Sequence, residues 1–222
     1  MTNREVILGR IREAMKIDAQ PHVGCPSQSP AASPQEWLPP VGTTLEEQIR
    51  LFRMNAEELR VDLHECTDMH EATQLLKEYA HSNGWRKIGR HSGSLIDPVA
   101  QPLDLEEVRT DKEYTVDDLE SCDAALTECD VLVAQTGSVM VSAPSAGGRA
   151  LSVLPPHHVV LARRNQMVPD LTAALRHVQA KYRDGFPSFL SFISGPSRTG
   201  DIERILVLGA HGPKKLTVLL LP

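Results

Sequence analysis

From Thr44 onward the apolar residues alternate between helical and strand-like periods, and this alternation predicts the fold. Leu45, Ile49, Phe52, Ala56 and Leu59 follow steps of four and three, and Thr44 and Glu47 have capping-box spacing, so a helix opens there. "RVDLHEC" (60–66) reads as a short strand. "DMHEATQLLKEYAHSNG" (68–84) reads as a helix with Ala72, Leu75, Leu76 and Tyr79 inward, stopped at Asn83-Gly84. "RKIGRH" is a further strand, and residues 92–118 carry no single period. Three strands are predicted in succession, "DAALT", "DVLVAQ" and "SVMVSA", the last two joined by a turn at Thr136-Gly137. A Gly/Pro/Ser-rich loop (144–156) precedes the buried strand "HHVVLA". A helix opened by Pro169-Asp170, the strand "SFLSFIS" and the closing strand "LTVLLL" complete the chain. Apolar strands without clean alternation, separated by helices, predict an α/β fold of three layers, α/β/α, with a mostly parallel sheet covered on both faces. The strands between 123 and 142 predict a hairpin-like portion.

The N-terminal part has a different texture. Residues 1–17 read as an amphipathic helix, with Ile7, Ile11 and Met15 on one face and capping-box spacing at Thr2 and Glu5. Between Asp18 and Pro40 there are six prolines and no sustained period, so 18–43 reads as a Pro/Ser-rich linker or arm and 44–222 as the α/β domain. The apolar stripe of the first helix needs a docking surface, either on its own domain or on another subunit.

Composition narrows the function classes. A formal charge of -6 with no Lys/Arg run, and few aromatics, exclude a nucleic-acid groove. The longest apolar run, "LTVLLLP", is too short to span a bilayer. Cysteines at 25, 66, 122 and 129 form no CxxC, so the chain is expected to hold neither zinc nor an iron-sulfur cluster, and no metal site is predicted. Thiols without pairing signals and no secretory signal pattern predict a cytoplasmic protein.

Four loops could carry chemistry: "QTGSVM" (135–140), "SAPSAGGRALS" (142–152), "SGPSRTGDIER" (194–204) and "GAHGPKK" (209–215). In open α/β sheets ligands collect at the carboxyl ends of strands, where the first three are expected. In "SGPSRTGDIER", Ser194, Ser197 and Thr199 offer hydroxyls and Arg198 a fork of donors suited to a carboxylate. If Thr199 caps a helix, the N–H groups at 200–202 face an anion; Asp201 and Glu203 already satisfy that helix dipole and repel a phosphate. A capped turn and a site both remain open on these residues alone. Gly137 with Ser138 lets a ligand approach the backbone, or is simple hairpin chemistry. His157 and His158 point to opposite strand faces, one towards a site and one towards solvent. His211, between Gly209 and Gly212, is either a turn residue or a proton-handling group. The G-x-S-x-G, Walker A, G-x-G-x-x-G and H-E-x-x-H fingerprints are all absent.

Three stretches resemble one family. "AQTGSVMVSAPSAGGRALSVLPPHHVVLARRNQMVPDL" looks like the core of the lactate-utilisation protein C (LutC/YkgG, LUD-domain) family, and "FISGPSRTGDIERILVLGAHGPKKLTVLLL" like its C-terminal signature. The opening "MTNREVILGRIREAM" is also similar. The likeness is firm over residues 131–222 and covers the rest in outline. It implies a fold of the NagB/RpiA/CoA transferase-like superfamily. It also implies a cytoplasmic, non-redox role beside two iron-sulfur proteins that oxidise L-lactate to pyruvate, with the clusters on those partners and none on this chain. Gly137, His158, Ser194, Gly195, Ser197, Arg198, Thr199, Asp201, His211 and Gly212 match the family pattern, whereas His157 stands outside it. The ligand-binding set expected from these residues is Gly137, Ser138, His158, Ser194, Ser197, Arg198, Thr199 and Asp201, for a small carboxylate or a partner surface, with His211 the catalytic candidate. Many relatives carry a glutamate where Gln135 stands, which weighs against catalysis here. The alternative is a stand-alone enzyme acting on a phosphorylated or coenzyme A-linked small molecule.

Overall fold

The computed structural model describes residues 3–16, 40–199, 207–209 and 211–222. The chain divides into two units, Met1–Pro39 and Pro40–Pro222. In the first, α1 (Asn3–Ala14) is the predicted helix, with Ile7 and Ile11 exposed. Thr2, most of the 18–43 arm and Cys25 lie outside the described residues.

The second unit is built on six parallel strands: β1 (Asp62–Glu65), β2 (Lys87–Arg90), β3 (Glu106–Arg109), β4 (Ala124–Glu128), β7 (His157–Arg163) and β12 (Lys215–Leu221). Their order across the sheet is β1-β12-β7-β4-β2-β3. Alternate residues of β7 and β12 enter two different cores. Val160, Ala162, Leu216, Val218 and Leu220 pack with α2 (Leu45–Glu58), through Ile49, Phe52 and Ala56. Val159, Leu161, Leu219 and Leu221 pack with α3 (Met69–Asn83) and α4 (Ile96–Ala100) on the other face. Burial on both faces is why these strands read as unbroken apolar runs. The helix ends follow the local signals: the Thr44–Glu47 capping box is formed, Asp68 caps α3, and Gly84 ends it in the left-handed conformation.

The predicted hairpin-like portion is present, formed by only two of the three strands between 123 and 142. β4 belongs to the large sheet, whereas β5 (Val131–Val133) and β6 (Ser138–Ser142) form a hairpin in a separate four-stranded sheet, ordered β8-β5-β6-β9. Its edges are β8 (Met167–Val168) and β9 (Leu190–Ile193), and α6 (Leu171–Lys181) covers one face through Ala174 and Val178. The chain leaves the large sheet at Glu128-Cys129-Asp130, where the Asp130 N–H already donates to the Met140 carbonyl. The stretch 92–118 resolves into α4, β3 and α5 (Val116–Glu120), each too short to show a period.

Candidate functional site

The family-specific loops converge near the C-terminus of α2 and the amino end of β12. After β9 the chain turns through Gly195, at φ 95°; a Cβ there would lie 2.7 Å from the Leu59 carbonyl oxygen. The Arg198 guanidinium donates to that same carbonyl. Leu59 is the C-cap of α2, so this cation answers the negative end of a helix dipole. Arg198 is otherwise exposed. The Ser197 N–H donates to Pro213 (2.9 Å) and the Gly209 N–H to Ser197 (2.9 Å), which sews the 194–198 loop onto the 209–213 loop. A two-residue ladder joins β10 (Arg198–Thr199) to β11 (Val207–Leu208). Thr199 is therefore a strand partner of Val207; Asp201 and the N–H groups at 200–202 lie outside the described residues.

Ser138 and Ser194 come together, their hydroxyls 2.7 Å apart. Gly137 turns at φ 61° directly over α2, where a Cβ would sit 2.8 Å from the Asn55 Cβ and 3.0 Å from the Ala56 nitrogen. The Asn55 amide in turn donates to the carbonyls of Ala134 (2.8 Å) and Gln135 (2.9 Å). Helix contact, then, is what demands glycine at 137. Gly137→Ala is expected to cost about 1–2 kcal/mol by combining a left-handed backbone with this overlap, read as a lowered urea midpoint. His211 is exposed on the neighbouring loop.

Two placements differ from expectation. The 142–152 loop does sit at the carboxyl end of the large sheet, where Gly147 packs on His91, but the loops at 137 and 194, expected at that end too, gather instead near the amino end of β12. Strand geometry separates it from the loops at 137, 194 and 211. Neither histidine of the pair faces solvent: His157 is 3% exposed and His158 fully buried. His158 Nε2 lies 2.8 Å from Thr127 Oγ1 between β7 and β4, and His157 Nε2 lies 2.8 Å from Thr217 Oγ1 between β7 and β12. Burial, aided by Lys215, pushes His157 down to about 4; burial, aided by His157, pushes His158 down to about 3. Both are neutral core imidazoles at neutral pH.

One polar cluster is invisible in the sequence. The Asp130 side chain is fully buried and accepts from Lys181 Nζ (2.7 Å), Tyr182 OH (2.7 Å) and Ser145 Oγ (2.8 Å). Because Tyr182 spends its proton on Asp130, the Ser142 hydroxyl 2.8 Å away must donate to Tyr182. Burial raises the Asp130 pKa, but these donors outweigh it and hold the carboxyl below its usual value. Lone polar residues 15 to 52 positions apart give no spacing signal for such a cluster.

Fold and site together define an α/β protein whose most motif-rich loops gather near the amino end of the last strand of a parallel sheet. The chain belongs to the LUD domain family, whose model matches residues 49–221. Lactate utilization protein C of Exiguobacterium sp. (strain ATCC BAA-1283 / AT1b) is 28% identical over 230 residues, covering 99% of this chain and 96% of that protein. Lactate utilization protein C of Shouchella clausii is 29% identical over 73% of this chain and 69% of its own length. A crystal structure of a DUF162 family protein from Deinococcus radiodurans has the same fold, with a TM-score of 0.65 and 23% identity, covering 82% of this chain and all of that one. No helix among the described residues is long and apolar enough to cross a membrane.

Proposed function

We propose that this chain takes part in lactate utilisation as a cytoplasmic, non-redox component of an L-lactate to pyruvate oxidation system, with the iron-sulfur clusters on two partner proteins. The observation that carries this reading is the match to a lactate utilization protein C along 99% of the chain. Placement supports assigning the clusters elsewhere: Cys66, Cys122 and Cys129 are buried in three different parts of the core rather than gathered around one point. In this reading the loops at 137, 194 and 211 hold a carboxylate ligand or a partner surface, with His211 as the proton-handling candidate.

The test is genetic and biochemical. A strain lacking this gene is expected to lose growth on L-lactate while growing normally on pyruvate, and the tagged chain is expected to co-purify with two iron-sulfur proteins. Normal growth on lactate, or stoichiometric iron on the purified chain, overturns the reading. Selective thermal stabilisation by phosphate esters or acyl-coenzyme A would favour a stand-alone enzyme instead.

A further inference from the structure

A cavity of about 190 Å³ opens at the amino ends of β7 and β12, beside the 209–213 loop. One wall is apolar and aromatic. Trp85 and His157 meet edge to face with centroids 5.2 Å apart, Tyr79 stacks behind Trp85, and Pro156 continues the surface. The other wall is cationic. Lys215 Nζ donates to Asn83 Oδ1 (2.6 Å), and the exposed Lys214 lines the cavity with it. Gly209, at φ 74°, is required here because a Cβ would lie 2.1 Å from Lys214 Cγ; the lysine stem lies flat over the loop that carries His211. The lining carboxylate, Asp123, is spent on the backbone N–H groups of Arg86 (2.7 Å) and Lys87 (3.0 Å) and forms no ion pair with either lysine.

His157 supplies the feature that selects a ligand. Its Nδ1 is buried without a hydrogen-bond partner, while Nε2 shares a proton with the Thr217 hydroxyl, which can donate or accept. A neutral imidazole in that pairing can present Nδ1 either as a donor or as a lone pair. It suits a keto oxygen in one tautomer and a hydroxyl in the other. At about 190 Å³ the cavity has room for an acid of three or four carbons.

We propose, deepening the lactate reading above and resting on it for the choice of acid, that this cavity binds a short 2-hydroxy or 2-oxo monocarboxylate. Its carboxylate lies on Lys214 and Lys215, its 2-oxygen towards His157, and its alkyl end against Trp85 and Pro156. Lys214 and Lys215 belong to the string that continues the 209–213 loop, so this one of the motif-rich loops borders the cavity, while those at 137 and 194 pack on α2.

The chain has two tryptophans, Trp37 and Trp85, whose indole N–H resonances can be told apart with Trp37→Phe. Titrating the full-length protein with L-lactate or pyruvate is expected to shift the Trp85 indole saturably and leave Trp37 in place. Propanoate, lacking the 2-oxygen, is expected to bind several-fold more weakly, and Lys214→Glu to weaken lactate binding about tenfold or more, with the rest of the spectrum unchanged because Lys214 is exposed. The proposal is overturned by a Trp85 indole that does not saturate, by inorganic phosphate or chloride shifting it equally, by propanoate matching lactate, or by Lys214→Glu binding as the wild type does. Growth on lactate is scored separately. Saturable Trp85 shifts in a protein dispensable for growth would leave the site standing and remove only the pathway role.

Discussion

Taking the protein from pH 7 to pH 5 is expected to remove about 3–4 kcal/mol of folding stability through two adjacent histidines, about 2 kcal/mol from each. In the unfolded chain both titrate near the ordinary histidine value of about 6.5. In the folded protein burial pushes His157 down to about 4 and His158 down to about 3. Between those limits the unfolded state binds protons that the native state refuses, so stability falls as the pH drops below the unfolded value. The loss for His157 is complete near pH 4 and for His158 near pH 3. Urea unfolding at pH 7, 6 and 5 reads this directly. His157→Gln and His158→Gln, which keep a polar amide but cannot titrate, should each flatten the pH slope by about half whatever they cost at pH 7. An unchanged slope in both variants would show that neither ring is buried neutral.

The second large effect is expected at Asp130. Asp130→Ala should cost about 3 kcal/mol at neutral pH, because it strips three donors of their acceptor. Lys181 is 44% exposed and can turn to water, so its ion pair contributes little of that sum. The larger share comes from Tyr182 and Ser145, which lie partly buried between β5–β6 and the end of α6. Tyr182→Phe should cost about 1 kcal/mol by comparison. The acid signature is distinct from that of the histidines. The carboxyl is held below its usual value, so its charge-linked contribution is present above the unfolded value of about 4 and is lost as the pH falls through the lower folded value. Denaturant unfolding of wild type and Asp130→Ala from neutral pH down into that acid range would separate the two: the gap between their stabilities should narrow as the pH falls, whereas the histidine loss is already under way at about pH 6.

Local chemistry was legible where it acts within a few residues. The Thr44–Glu47 box, the stop at Gly84 and the strand "HHVVLA" each depend on neighbours in the chain, and each forms as read. Residues 92–118 were not legible, since five-residue helices offer too few turns to show a face. The site divides in the same way. Ser194, Ser197 and Arg198 stood out as a string, and the structure brings the first to Ser138, the second to Pro213 and the third to the end of α2. The cavity at Trp85, His157 and Lys214 did not stand out. Its residues come from three distant segments and share only their position at one end of a sheet.

By itself the sequence determined the α/β class, the parallel sheet and the family-specific loops, because periodicity, caps and a long motif string are properties of contiguous residues. Only the tertiary structure decided that β4 parts company with β5 and β6, that both histidines are buried, and that the 142–152 loop lies at the far end from the 194 and 211 loops. Strand order, burial and the joining of distant loops are set by which apolar faces can be covered at the same time, and that choice belongs to the whole chain at once.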